Sequence, residues 1–103
     1  MDHDPLNLER QEEQRAREIE RQRLEARIEK DDLIWLMQSK RGRRIVMRLL
    51  ADAGLYRSSF NQNALVMARA EGWKEFGVAL FAKLTNYCFE LRQMAEKEYA
   101  DNG

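Results

Sequence analysis

A single cysteine, a single proline and a single histidine in 103 residues exclude several kinds of protein at once. Cys88 alone cannot close an internal disulfide, and its presence suits a reducing compartment. It lies between Tyr87 and Phe89, where a thiol is ordinarily an inert packing group. The one histidine, His3, gives no framework for a triad or dyad. With Cys88 far away in sequence, it supplies no clustered metal ligands either. Glycines at Gly42, Gly54, Gly72 and Gly77 are scattered, so no phosphate-cradling loop is present. Scarce proline and glycine also argue against a β-sandwich, which needs frequent turn residues. No apolar run approaches the roughly 20 residues that span a bilayer. The opening MDHDPLNLERQEEQ is acidic and polar, unlike a secretory signal. These absences predict a noncatalytic, intracellularly made protein with no cofactor and no metal.

Arg, Glu, Leu and Ala dominate what remains, a mixture that favours helices. The length and the 44% hydrophobic content set one modest core. Net charge is zero, but the charges are segregated. Residues 1–32 carry 11 acids and 7 bases; residues 33–74 carry 8 bases and 2 acids; residues 75–103 carry 5 acids and 3 bases. A basic centre with a net charge of +6 therefore sits between acidic ends of −4 and −2. Such a pattern can neutralise itself, within or between chains, or present opposite faces to different partners.

Asp4-Pro5 reads as a helix start. From Leu6 to Lys30 no breaker intervenes. Glu12/Arg15, Glu18/Arg21 and Glu20/Arg23 at spacing three, and Glu13/Arg17 at spacing four, can pair on a helix surface. The apolar residues Leu8, Ala16, Ile19, Leu24, Ala26 and Ile28 are too sparse for a firm heptad seam. Residues 1–30 are therefore expected to be a charged helical arm, and residues 31–103 a small helical domain.

Asp31-Asp32 reads as the next N-cap, followed by the apolar run Leu33–Met37. After the turn Ser39–Gly42, Ile45, Val46, Leu49, Leu50 and Ala53 form an apolar stripe that Gly54 closes. The turn is unusual. Lys40, Arg41, Arg43 and Arg44 crowd a helix N-terminus, the end where the backbone dipole already presents partial positive charge. This arrangement invites an anion or an outside carboxylate. With Arg48 and Arg57, these cations are the candidate partner- or phosphate-binding residues. The pattern resembles an αα-hairpin or a helix-turn-helix. As a base reader the second helix is too apolar, because after Arg48 it offers only Asp52.

Residues Leu55 to Gln62 read as a loop, with Tyr56 and Phe60 tucked onto the core, and Asn61 or Asn63 as the next cap. Val66, Ala70, Trp73, Gly77, Leu80, Leu84, Tyr87, Leu91 and Met94 then keep helical spacing, the strongest pattern in the chain. Thr85-Asn86 is the expected bend, with a helix end near Tyr99. Gly72 and Gly77 inside that helix each cost up to about 1 kcal/mol relative to Ala. Close approach of a neighbour would explain them, with Trp35 as the expected neighbour. The core is expected to contain Trp35, Leu49, Trp73, Phe76 and Leu80. Trp73 to Leu84 is amphipathic and aromatic, but its only cations are Lys74 and Lys83. Interfacial membrane helices carry more, so packing is the expected use.

In order, Asp32-Leu33, Trp35, Gly42-Arg43-Arg44, Leu49-Leu50, Ala53-Gly54, Ser59-Phe60, Glu71-Gly72 and Gly77 make a dispersed motif. It resembles a family of short bacteriophage proteins, the Bordetella phage small-protein type, encoded mostly by short-tailed phages beside virion genes. The likeness covers about Asp31 to Tyr99. It departs at Trp73-Lys74, where the family tends to carry Arg, and again at Val78. Loss of that Arg removes any phosphate contact or salt bridge made there. The resemblance implies a phage origin and a virion role: internal and ejected, or connector-associated.

The expectation is thus an all-α protein, a bundle of three to four helices preceded by a long charged helix. Its partners would be phage structural proteins, in a homo-oligomer or hetero-assembly, with packaged DNA as a further contact. A nonspecific nucleic-acid binder is the alternative function.

Overall fold

The computed structural model describes residues 5–102, which form three helices and, among the described residues, no strand. The helices are α1 (Pro5–Met37), α2 (Lys40–Asp52) and α3 (Ala64–Asn102). Asp4, expected as the first cap, and His3 lie outside the described residues. The architecture is the expected all-α one, with a long helix at the N-terminal side.

The described residues divide into two compact units between Asp32 and Leu33. In the first unit α1 exposes Leu6, Leu8, Ile19, Leu24 and Ile28, and its surface is held by ion pairs. Arg17 meets Glu13 at 3.6 Å, and Arg23 meets Glu20 at 3.2 Å. Arg21 bridges Glu18 and Glu25, the latter at 3.0 Å. Three of the expected pairs therefore close, each contributing a few tenths of a kcal/mol.

Asp31 and Asp32 do not cap a new helix, because α1 runs through them to Met37. From Leu6 to Gln38 the sequence contains neither Gly nor Pro, so nothing obliges the backbone to leave the helix there. The stop falls at Gln38-Ser39. Ser39 is the α2 N-cap, its Oγ accepting from the Gly42 N–H at 2.9 Å. Gly42 is required at this crossing: a Cβ on it would stand 1.8 Å from the Leu36 carbonyl oxygen.

At its other end α2 finishes as the sequence predicts. Ala53 is the C-cap and Gly54 adopts a φ of 84°. The Gly54 N–H donates to the Ala51 carbonyl at 3.0 Å, and the Leu55 N–H to the Leu50 carbonyl at 3.2 Å. This doubly bonded Schellman arrangement satisfies the final carbonyls. Tyr56 and Phe60 do not tuck onto the core; both are exposed. The loop is held locally instead, through Asn61 Oδ1 on the Asn63 N–H and Lys74 Nζ on the Arg57 carbonyl. Asn63, rather than Asn61, caps α3, its Oδ1 accepting from the N–H groups of Leu65 and Val66.

The core of the second unit is Met37, Val46, Met47, Leu50, Leu84 and Ala95, flanked by Leu33, Leu36, Leu55, Leu80, Phe81, Cys88 and Leu91. Of the five expected core residues only Leu80 packs there. Trp35 is 74% exposed, and Leu49, Trp73 and Phe76 are also on the surface. The last turn of α1, α2 and α3 enclose one seam in the second unit, and Met37, Val46, Met47, Leu50 and Leu84 already fill it. Gly77 is a close approach, but its neighbour is Ala53, whose Cβ would be 3.1 Å from an added methyl, and not Trp35. Gly72 faces open space.

α3 bends at Cys88 (φ −152°, ψ 63°), two residues beyond the expected Thr85-Asn86. Two anchors explain why a bend must occur. Gly77 meets Ala53 at one end of α2, and Glu98 meets Arg43 at the other. The ten residues from Arg43 to Ala53 rise about 15 Å, whereas the 21 from Gly77 to Glu98 would rise about 31 Å if straight. A continuous α3 would overshoot its partner. Thr85 Oγ1 donates back to the Phe81 carbonyl at 2.8 Å, a bond that loosens the preceding turn. Arg92 braces the bend, its guanidinium 4.6 Å from the Phe81 ring centre and 4.9 Å from that of Phe89, while it pairs with Glu96.

Candidate basic interface at the start of the second helix

The first two turns of α2 contain no acidic residue and four cations, so the sequence-level anomaly is a structural fact. The helix then sorts its cations by face. Lys40, Arg44 and Arg48, spaced by four, project along one side. They line a groove of about 370 Å³ together with Met47, Ala95, Glu98, Tyr99 and Asn102. None of the three has an ion-pair partner among the described residues. Arg41 is exposed nearby but does not line this groove.

Arg43 turns inward. Only 8% of it is exposed. Its Nε donates to Glu98 Oε1 at 2.7 Å, and its Nη1 to the carbonyls of Met37 at 2.8 Å and Gln38 at 3.0 Å. It thus closes the C-terminal end of α1 and ties it to the far end of α3. Its donors are committed inside the fold, which takes it out of the set of six candidate surface cations. Arg57 sits near the opposite end of α2, its Nη2 3.3 Å from the Ala51 carbonyl. The structure therefore brings Lys40, Arg44 and Arg48 together and leaves Arg41 and Arg57 outside the groove. The spacing of four was legible in the sequence; Glu98 and Tyr99, some fifty residues on, carried no local signal.

Two further grooves open in the second unit. One of about 440 Å³ lies between Leu49, Trp73 and Phe76, with Arg57, Ser58 and Ser59 at its rim. Another of about 500 Å³ is lined by Met47, Ala51, Tyr56, Arg57, Glu96 and Tyr99. Burial, reinforced by the nearby Glu96 carboxylate, pushes the Tyr56 phenol above its usual value. Burial likewise pushes the Cys88 thiol up, away from the thiolate form a nucleophile needs. Among the described residues no group of three or more His, Cys, Asp or Glu is placed to hold a metal ion. No described helix is long and apolar enough to cross a membrane.

These features define a small helical protein with a basic helix start, a thin core and large apolar side chains left on its surface. The chain belongs to the Bbp19-like phage protein family, whose model matches residues 34–97. That span begins just past the Asp32/Leu33 division and covers the second unit through the bend. No curated protein and no solved structure matches the chain.

Proposed function

We propose that this phage protein is a noncatalytic, virion-associated component, internal and ejected or placed at the head connector, which works through protein–protein contacts. One observation carries the reading: the large apolar side chains outside the core. Trp35, Phe60 (77% exposed), Leu65 (81%) and Trp73 (63%) stand out on a unit whose core cluster is six residues among those described. Leu49, Trp73 and Phe76 line one groove together, and a partner is the ordinary explanation for an apolar cluster left in water.

Quantitative mass spectrometry of purified particles, before and after DNA release, tests the placement. Presence in full particles and loss from emptied ones is the expected result for an ejected protein, and retention in both for a connector component. Absence from both overturns the virion role.

A second reading rests on Lys40, Arg44 and Arg48 around one groove: nonspecific phosphate binding to packaged DNA. Glu98 in the same groove opposes it. Three neutralised phosphates give a slope of log affinity against log salt of about −2.7 on duplex DNA. Arg44→Ala is expected to flatten that slope by about 1. An unchanged slope removes this reading.

A further inference from the structure

The first segment of α3, before the bend, has two faces. Gly77 and Leu84 are buried against the rest of the unit, with Met67, Ala70, Lys74, Leu80 and Phe81 half-buried beside them. The opposite face is centred on Gly72. On a helix of 3.6 residues per turn, positions 65, 68, 69, 75, 76 and 79 all fall within about 60° of residue 72. Every one of these seven positions is exposed. Leu65 and Phe76 on this face are large and apolar. An added Cβ on Gly72 meets nothing within 4 Å, so nothing in the chain itself explains a helix-weakening glycine there.

We propose that this face binds a second copy of the chain, the two α3 segments crossing antiparallel about a two-fold axis at Gly72. Charge and size complementarity select that occupant. In such a pairing, a residue a given number of positions after Gly72 lies level with the one the same number before it in the other copy. Arg69 then stands level with the second copy's Glu75, both about 4.5 Å along the axis from the crossing. Among these seven positions they are the only charged residues, Lys83 lying on the same side about 16 Å further along the axis. Neither Arg69 nor Glu75 has an ion pair or hydrogen bond among the described residues. Their neighbours in sequence are occupied differently: Glu71 accepts from Ser59, and Lys74 donates to the Arg57 carbonyl.

Size matches as charge does. Phe76 stands level with the second copy's Ala68, and Leu65 with its Ala79, so each large side chain meets a methyl. At the centre Gly72 meets Gly72, which lets the backbones approach closely. The two-fold repeats every pair, giving two Arg–Glu contacts and four large-on-small contacts. The interface is independent of where in the particle the protein resides.

Sedimentation equilibrium of the full chain over a micromolar to sub-millimolar series tests it. A reversible monomer–dimer equilibrium is expected. Gly72→Gln fills the crossing and is expected to weaken the dimer about tenfold or more. The same variant should leave the monomer's thermal midpoint unchanged or raised, since Gln is the better helix former. Arg69→Glu is expected to weaken association at low salt, and adding Glu75→Arg to restore it. A monomer at every concentration, association indifferent to Gly72→Gln, or a charge swap without rescue overturns the proposal.

Discussion

Arg43 shows how far a single side chain can depart from what its neighbourhood in the sequence suggests. Set among Lys40, Arg41 and Arg44, it reads as one more surface cation. The fold instead buries it, with Glu98 and two carbonyls as partners. Arg43→Ala leaves Glu98 and the end of α1 without a donor, and breaking such a pair costs about 3 kcal/mol. Arg43→Lys keeps the charge but not the fork, and recovers only part of that loss. Urea unfolding of both variants measures the difference. Gly42→Ala forces a methyl onto the Leu36 carbonyl and is expected to destabilise by about 3 kcal/mol or more, by the same assay. Gly54 was legible because the turn after α2 demands glycine. Gly42, expected in a turn, lies inside α2 and is needed for the space beside the Leu36 carbonyl. Arg43 was not legible, because its burial is decided by a partner 55 positions away. The pH response also belongs to single residues. The fold favours the protonated forms of Cys88 and Tyr56, whose values it raises. Their contribution is full below the thiol's ordinary value of 9.0 and is lost as pH rises through the shifted values. Stability measured by urea midpoint is expected to fall between neutral and strongly alkaline pH.

Among the elements, helix identity was readable and helix ends were not. Spacing of three and four found α2 and α3 without reference to contacts. It read a new helix start at Asp31-Asp32, where α1 runs on, because an aspartate pair is a cap only where the chain turns. It also misplaced the bend in α3, which is set by the distance between two anchors on α2 rather than by Thr85 alone. The apolar stripe was right about period and about side for most of its length. Gly77 and Leu84 are buried and Ala70, Leu80, Tyr87 and Leu91 half-buried, while Val66, Trp73 and Met94, with Phe76 beside them, are outside. A long helix in so small a unit keeps apolar residues on more than one face, and period alone cannot say which is covered. The exposed pairs of α1 make their own prediction. The Arg21 guanidinium holds the Glu18 carboxyl below its ordinary value of 4.5. Its stabilisation is present above that value and is lost as pH falls through the lowered one. Helicity of a peptide covering residues 5–32, followed by circular dichroism, is expected to drop on acidification and to weaken with added salt.

At the level of the whole molecule, the second unit contains the core, the bend and the Arg43–Glu98 tie, and the family match lies within it. Removing residues 1–32 is therefore expected to leave its cooperative unfolding transition in place, with a midpoint shift of no more than a few degrees. Loss of the transition would show that α1 contributes to the fold as well as preceding it. The tie between Arg43 and Glu98 also has a consequence in time. A ribosome delivers α2 well before it delivers Glu98, and until then Arg43 has no counterion and Met37, Val46 and Met47 have no lid. The growing chain must carry that sticky, unpaired hairpin through nearly half of its own synthesis, so slow codons or stalling ahead of Glu98 would expose it to aggregation.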